Sequence, residues 1–221
     1  MTARQASDGV RALRTDARRN HGQILSAARD VFVERGPGAP LDEIAKRAGV
    51  GIATLYRHFD DRQTLMRAVI LEALLRTGDA GERAIAQGPD AFGSLTMYMH
   101  TVLDLRIAAV IPVLLEQVDL EGEELTSARE RGARLLQQLV DAAHKTGGLN
   151  ADVTFGDIGL MLIRLSRPLP GGVSEKLNAQ LAHRHLELLI NGLQRADAPA
   201  AGLGGPALTL RDLRELEGEP R

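Results

Sequence analysis

Residues 41–59 of this chain read LDEIAKRAGVGIATLYRHF, and the rest of the sequence is organised around them. Apolar side chains recur at helical spacing on either side of a glycine-containing turn, which predicts two short helices. Four residues follow one another at offsets of 0, 4, 5 and 10: Ala45, Gly49, Val50 and Leu55. This spacing is typical of a helix-turn-helix, in which a small residue lies at the crossing, a glycine takes a positive φ and apolar side chains hold the crossing angle.

The second short helix keeps an outer face that carries hydrogen-bonding and cationic groups: Ile52, Ala53, Thr54, Tyr56, Arg57 and His58. A helix of this length fits the major groove of duplex DNA. A phenol and an imidazole hydrogen-bond a phosphate, an arginine adds Coulombic attraction, and small apolar side chains meet thymine methyl groups. The alternative is an ordinary helical hairpin whose outer face is only solvated.

The composition restricts the class of protein. The chain has 221 residues, a formal net charge of −2 and no cysteine. This length supports one or two domains with a sizeable core. The absence of cysteine excludes disulfides and thiolate metal sites and favours a reducing compartment. The longest apolar run, residues 107–115, is far shorter than the ~20 residues of a membrane span. We therefore expect a cytoplasmic protein that does not bind membranes.

The charge is divided unevenly along the chain. Residues 1–78 carry 13 Lys and Arg against 9 Asp and Glu, whereas residues 79–221 carry 14 against 20. A basic first third followed by an acidic remainder fits a nucleic-acid-binding head on a body that does not contact DNA. Such asymmetry also arises by chance, so it supports the interpretation without carrying it.

The N-terminal third predicts a three-helix head. Residues 1–17 are polar and predict a disordered arm, either a plain terminus or an arm that reaches a DNA backbone. A helix from about residue 17 to 35 bears an apolar stripe that covers the inner face of the helix-turn-helix: Ile24, Leu25, Ala28, Val31 and Phe32. We place the DNA-binding domain at 18–60, and a helix capped by Asp61 links it to the body.

The remainder predicts an all-α body at 61–195. Helices are expected at 61–76 with a possible extension to 86, at 91–106, after or across Pro112, and at 121–146, 154–167 and 174–195. The helices at 154–167 and 174–195 are apolar on more than one face and need cover on both sides. A second copy supplies that cover as a four-helix bundle, which predicts a homodimer. Residues 196–221 begin with a stretch rich in Ala, Pro and Gly, and we expect them to form a tail with a possible short helix.

About 76 N-terminal residues resemble a TetR-family transcriptional regulator. The resemblance rests on the apolar stripe of the first helix, on the Ala48-Gly49-Val50 turn and on the run LYRHF at 55–59, followed by Asp61-Arg62 and Leu65. It implies a ligand-responsive transcriptional regulator, most often a repressor. Such a regulator binds a palindromic double-stranded DNA operator as a homodimer and is released by a small-molecule effector. The resemblance implies no cofactor.

Five side chains match DNA-contacting positions of the family: Thr54, Tyr56, Arg57, His58 and Arg62. In similar regulators Tyr56 and His58 correspond to phosphate contacts, and Thr54 and Arg57 to phosphate or base contacts. Arg62 stands where the family usually has a phosphate-binding lysine at the start of the fourth helix.

Two positions depart from the family pattern. Gly51 replaces a serine or threonine that often caps the recognition helix, and Pro40 replaces a similar cap on the preceding helix. Both lack a hydroxyl that could reach a phosphate, so Gly51 joins the predicted DNA-binding set only through its backbone N–H. Ile52 and Ala53 complete that set.

The resemblance also implies an effector pocket between the fourth and eighth helices. Candidate lining residues face inward in the sequence pattern: Met97, Tyr98, Thr101, Leu105, Leu114, Gln117, Leu136, Met161 and Arg164. Plain core packing is the alternative for each of them. We expect a mostly aliphatic cavity, in which Arg106 or Arg164 either meets an acidic ligand or pairs with Glu116.

No constellation of residues predicts catalysis or a metal site. His183 and His185 are two residues apart, so on a helix they point ~200° apart and do not converge. His100 and His144 are isolated in the sequence. The glycines at 202–205 lie in the tail and do not join a strand to a helix, so they form no dinucleotide loop. The alternatives to a DNA-binding regulator are therefore a helical protein-binding adaptor and, with less support, an enzyme.

Overall fold

The computed structural model describes residues 3–114, 117–118, 122–169 and 173–194, with side chains from residue 16 onward except at 107 and 112. Every regular element in these ranges is an α-helix, which confirms the predicted all-α class. The helices are α1 (Ala3–Arg35), α2 (Leu41–Arg47), α3 (Ile52–His58), α4 (Arg62–Gln87), α5 (Ala91–Asp104), α6 (Ile107–Leu114), α7 (Glu123–Lys145), α8 (Phe155–Ser166) and α9 (Glu175–Leu193).

The helix bounds differ from the sequence-based expectation at the start of α1, and they decide between the alternatives left open for α4 and for Pro112. α1 begins at Ala3, so the helix extends through the segment that the sequence predicted as an arm, where Ala, Arg, Gln and Leu favour helix. α4 continues to Gln87 through two glycines. Pro112 lies inside α6 and does not open it. Glu116 and the predicted tail at 196–221 lie outside the described residues.

The chain divides into two compact units. The first comprises Met1–Glu72 and Val113–Leu120, and the second comprises Ala73–Pro112 and Glu121–Arg221. The division falls inside α4, so this helix contributes residues to both units. Leu114 and Gln117, which were expected to line the effector pocket, belong to the first unit.

The first unit is built on the apolar stripe of α1. Its members Ile24, Val31 and Phe32 are fully buried, together with Ile44 of α2 and Leu55 of α3. Fully burying side chains of this kind contributes roughly 1.5–3 kcal/mol each to stability. The stripe therefore anchors the two short helices, which are too short to be stable alone in water.

The turn between α2 and α3 is a complete Schellman motif. The Val50 N–H donates to the Ala45 carbonyl at 3.0 Å, and the Gly49 N–H donates to the Lys46 carbonyl at 3.2 Å. Gly49 takes a φ of +70°, the left-handed conformation that glycine adopts without steric cost. The predicted glycine turn is therefore confirmed, and it fixes the direction in which α3 leaves α2.

The second unit encloses its own apolar core. α5 packs against α7, α8 and α9, and α8 also contacts α7 and α9. Caps define the helix starts: Asp90 accepts from the Gly93 N–H, Thr154 and Asp157 form a capping box, and Ser174 accepts from the Leu177 N–H. The predicted caps at Thr154 and Ser174 are confirmed, and such caps each contribute about 0.5–2 kcal/mol.

α4 and α7 approach each other closely in the second unit because glycines face the crossing. A Cβ placed on Gly81 would lie 2.8 Å from the Leu135 Cβ. The Arg131 guanidinium covers Gly78 and binds α4 through Asp79 at 2.9 Å and through Glu82. Glycine inside a helix costs about 1 kcal/mol, which this close packing offsets.

Candidate DNA interface and effector cavity

The outer face of α3 presents the side chains that the sequence singled out. Leu55 is 0% exposed and anchors the helix, whereas Tyr56 is 49% exposed. Ala53 and Arg57 are also exposed, and Ile52, Thr54 and His58 are partly exposed. The structure thus brings all six predicted residues of α3 onto one seven-residue helix, with its buried edge fixed by the core.

Thr54 and Arg57 form a unit on this face. The Arg57 Nη2 donates to the Thr54 hydroxyl oxygen at 3.0 Å. The hydroxyl hydrogen of Thr54 remains for another acceptor, and the other guanidinium N–H groups of Arg57 are not engaged by this bond. The pair therefore offers two kinds of donor to an anionic surface such as a phosphate backbone.

His58 lies at the C-terminal end of α3 beside a second histidine. The His21 ring stacks on Phe59 with centroids 5.0 Å apart and lies 5.8 Å from the His58 ring. Burial lowers the pKa of His58 below its ordinary value, and the neighbouring His21 and Arg57 charges lower it further. His58 is therefore mainly neutral near pH 7, when its imidazole still has one N–H donor.

The capping positions of α2 and α3 carry no side-chain hydrogen bond. Pro40 and Gly51 are the N-cap residues of α2 and α3, as the sequence indicated. The Gly51 carbonyl accepts the Thr54 N–H at 2.8 Å. The first N–H groups of α3 consequently have no capping hydroxyl beside them.

Arg62 at the start of α4 has an intramolecular role that the sequence did not reveal. Its Nη1 donates to the Pro37 carbonyl at 2.9 Å and also to the Ala39 carbonyl. Both acceptors lie in the connector between α1 and α2. Arg62 and Tyr56 also line a surface depression together with Asp42, Asp60 and Asp61. An arginine–phosphate contact here would use the remaining N–H groups of the guanidinium.

The nine residues expected to line an effector pocket are not brought together. Leu114 and Gln117 lie in the first unit, and Gln117 is exposed. Tyr98 and Leu136 belong to the buried core of the second unit, against which Met161 packs. Burial raises the pKa of Tyr98. The remaining four are partly or fully exposed: Met97, Thr101, Leu105 and Arg164.

A cavity of about 110 Å³ lies elsewhere in the second unit, where α5 and α8 end beside the first half of α9. None of the nine candidates lines it. Its walls combine apolar side chains with charged and polar groups: Leu103, Asp104, Arg106, Leu165, Ser166, Arg167, Pro168, Glu175, Asn178, Ala179, Ala182 and His183. Arg106 pairs here with Glu175 at 2.9 Å, and its predicted alternative partner Glu116 lies outside the described residues.

His183 at the cavity wall is one of four side chains linked in a row, together with Asp104, His100 and Glu187. Its Nε2 lies 2.8 Å from Asp104 Oδ1, and its Nδ1 lies 3.4 Å from His100 Nδ1. His100 Nε2 in turn lies 3.1 Å from Glu187 Oε1. In each ring the Nε2–H donates to a carboxylate, and the two facing Nδ1 atoms form a hydrogen bond when one proton lies between them.

The sequence contains a signal for this row of side chains that apolar periodicity does not reveal. His100 and Asp104 on α5, and His183 and Glu187 on α9, are both histidine–acid pairs at i, i+4. That spacing puts each pair on one helix face.

Among the described residues, no group of three or more His, Asp or Glu side chains is arranged to hold a metal ion. None of the described helices is long and apolar enough to cross a membrane.

Comparisons with known proteins agree with the architecture of the head. Residues 24–69 match the family model of bacterial regulatory proteins, tetR family. The chain is 44% identical over 68 residues to the HTH-type transcriptional activator FasR of Mycolicibacterium smegmatis, a match that covers 30% of this chain and 31% of FasR. The matches to the curated relatives thus span about a third of their length.

Solved structures extend the likeness to the body. The TetR transcription regulatory protein from Mycobacterium vanbaalenii is 30% identical, with a TM-score of 0.58, and the match covers 83% of this chain and 99% of that protein. LfrR from Mycobacterium smegmatis, solved with proflavine, shares the fold at 22% identity and a TM-score of 0.51, over 76% of this chain and 95% of LfrR. These relatives are transcriptional regulators and not enzymes, and the chain belongs to the TetR family of transcriptional regulators.

Proposed function

We propose that the protein is a repressor that binds a palindromic DNA operator as a homodimer and is released by a small molecule. The observation that carries the proposal is the outer face of α3, fixed by Leu55 and by the Schellman turn. A rigid short helix with Thr54, Tyr56 and Arg57 exposed is suited to a major groove, where phosphate contacts position it and base-edge contacts specify the sequence. The site of action is the cytoplasm, where bacterial DNA lies.

Exposed leucines on the last helices support the homodimer. Leu177 and Leu188 on α9 are 46% and 60% exposed, and Leu169, which follows α8, is 45% exposed. Large apolar side chains exposed on neighbouring segments mark an association surface. Pairing α8 and α9 with their copies as a four-helix bundle would cover them and duplicate the head for two half-sites.

α4 is the element through which an effector would act. It is one continuous helix from Arg62 to Gln87, and it contributes residues to both units. In the second unit Arg131 ties it to α7 through Asp79 and Glu82. An effector that binds the body more tightly when α4 takes a different course would weaken operator binding by that difference in affinity.

The proposed direction of regulation is repression, which is the common behaviour of regulators of this type. FasR is named an activator, so activation is the outcome that the experiment must distinguish. Operators should first be selected from random duplex DNA by the purified protein. A reporter gene placed behind the selected operator should be silenced when the protein is expressed, and increased reporter output would establish activation instead.

Salt dependence separates DNA recognition from the adaptor function. Binding to the selected operator should weaken steeply with salt, because phosphate contacts release counterions. A palindrome with half-sites about one helical turn or slightly more apart should be enriched. Failure to enrich any sequence, together with salt-independent binding to a protein partner, would overturn the proposal in favour of an adaptor.

A further inference from the structure

The cavity where α5 and α8 end beside α9 contains an orphaned polar group. Ser166 lines it and is 7% exposed, and its Oγ is buried without a hydrogen-bond partner. An unsatisfied buried hydroxyl costs about 1–3 kcal/mol, and such groups are rare in folded proteins. Because the oxygen itself is closed to solvent, a ligand with a polar end would satisfy it once the Ser166 side chain turns toward the cavity.

Arg106 on the same wall adopts a backbone conformation that favours glycine. Its φ is +50°, and no other non-glycine residue in the described part of the chain has a positive φ. It follows the C-cap Leu105 of α5, the position at which helices most often end in glycine. An arginine in this conformation costs stability relative to glycine. What the arginine adds in return is a cationic group at the cavity wall that can bind a carboxylate.

Arg106 already holds a carboxylate, and that carboxylate is exchangeable. Its Nη1 donates to Glu175 Oε1 at 2.9 Å, and the Glu175 side chain is 76% exposed whereas that of Arg106 is 24% exposed. An exposed carboxylate on a flexible side chain pairs only weakly and is easily displaced. The carboxylate of a ligand would therefore compete with Glu175 for Arg106 at little cost.

The charges and apolar surface of the cavity define the ligand class. Asp104 is hydrogen-bonded to His183, and displacement of Glu175 leaves two arginines, Arg106 and the exposed Arg167, against this one carboxylate. Leu103 and Leu165 supply an apolar wall. The volume of about 110 Å³ is well below the roughly 300–1,000 Å³ of sites for drug-sized ligands.

We propose that this cavity binds a short-chain carboxylic acid as its anion. The carboxylate replaces Glu175 on Arg106 and accepts from the Ser166 hydroxyl, and the alkyl chain lies against Leu103 and Leu165. The assignment of this ligand as the effector rests on the proposed function; the binding site itself does not.

Calorimetric titration of the full-length protein with butanoate, hexanoate and octanoate tests the site. At least one should bind, whereas the corresponding neutral amides and an equal concentration of sodium chloride should not. Absence of binding by all three carboxylates, or equal binding of the amides, would overturn the proposal.

Three variants should change carboxylate affinity or stability in different directions. Arg106→Gly should fold at least as stably as the parent protein, because glycine suits the positive φ, yet it should lower carboxylate affinity by about tenfold or more. Glu175→Gln should raise affinity, because it removes the internal competitor. Ser166→Ala should raise thermal stability and lower affinity. Unchanged affinity in Arg106→Gly, or weaker binding in Glu175→Gln, would contradict the assignment.

Operator binding is measured separately, so the two proposals fail in different ways. If a carboxylate binds and the operator complex dissociates, both stand. If a carboxylate binds without changing operator affinity, the site stands and the effector role is overturned. If the operator is bound and no carboxylate binds, the cavity proposal is overturned and the DNA-binding function stands.

Discussion

The Arg62 guanidinium at the start of α4 donates to the carbonyl of Pro37, 25 residues earlier in the chain, at 2.9 Å. A second bond from the same nitrogen reaches Ala39. The connector before α2 is therefore held by the helix that follows α3. Arg62, which was expected to contact a DNA phosphate, thus also holds the segment that leads into the helix-turn-helix.

Replacing Arg62 should affect both stability and DNA binding. Arg62→Ala should lower the free energy of unfolding by about 1–3 kcal/mol, because two carbonyls lose a charged donor. It should also reduce the salt slope of operator binding by about one if the remaining N–H groups meet a phosphate. Arg62→Lys is the control: it keeps the charge, so the slope should be retained, but the flexible ammonium is less preorganised than the planar guanidinium, so stability should fall. An unchanged melting temperature in Arg62→Ala would refute the structural role.

Tyr56 and Leu55 are neighbours with opposite exposure, which separates recognition from folding. Tyr56→Ala should weaken operator binding severalfold while changing the free energy of unfolding by less than about 0.5 kcal/mol. Leu55→Ala should cost about 2–5 kcal/mol, because the side chain is fully buried. Denaturant titration and operator binding should be measured on both. Parallel losses in Tyr56→Ala would mean that its ring is part of the core.

Gly49 and Gly51 form a matched pair in the turn. A Cβ on either would meet no atom within 4 Å, but Gly49 has a φ of +70° and Gly51 has a φ of −71°. Gly49→Ala should therefore destabilise the protein by about 1 kcal/mol. Gly51→Ser should stabilise it by a few tenths of a kcal/mol, because serine caps α3. Equal effects of the two substitutions on the melting temperature would contradict the assigned turn.

The pKa of His58 gives a defined pH dependence. Burial lowers this pKa in the folded protein, so the unfolded chain binds more protons below the ordinary histidine value of about 6.5. Stability from this group is therefore complete above that value and is lost as pH falls through the lowered pKa. Nearby phosphates favour the charged imidazole, so operator binding takes up a proton and strengthens on acidification, by at most about tenfold per pH unit for each head of the dimer.

His58→Gln should remove both trends, as measured by denaturant titration and by operator binding between pH 8 and pH 5. Since His21 and Arg57 also act on this pKa, His21→Gln is the informative control and should leave part of the dependence in place. Identical pH profiles for His58→Gln and the parent protein would exclude His58 as the responsible group.

The exposed leucines of α9 test the dimer. Leu188→Glu, alone or with Leu177→Glu, should give a monomer by light scattering at micromolar concentration, because two charges would be buried in the proposed bundle. Leu75→Glu on α4 is the control, since Leu75 is also exposed, at 41%, but lies outside the predicted interface. The Leu75 variant should remain dimeric. A parent protein that is already monomeric would defeat the bundle.

The head was predictable because its determinants are local. Ala45, Gly49 and Leu55 lie within eleven residues, and their spacing alone specifies a turn and a buried edge. Apolar periodicity likewise placed the stripe of α1, and cap residues placed the starts of α8 and α9. The N-terminal limit of α1 was not predictable in the same way, since its polar first half offers several possible cap residues, such as Ser7, Asp8 and Thr15, and no apolar stripe that selects one of them.

The body depends on pairings that no local pattern specifies. His100 and His183 are 83 residues apart, and they meet only because α5 packs against α9. The cavity beside them depends on where α5 and α8 end. Apolar periodicity identifies residues that face inward, such as Tyr98 and Leu136, but it does not distinguish packed core from the wall of a cavity.

The glycine-lined crossing of α4 and α7 has a consequence for motion. With almost no side chain between the two backbones at Gly81, sliding α4 along α7 would drive its neighbouring side chains into Leu135, whereas a change of angle about the contact meets less obstruction. Arg131, bound over Gly78, holds the helix at the same place. We therefore expect the crossing to fix the position of this part of α4 along α7 while it permits small changes in the angle between the two helices.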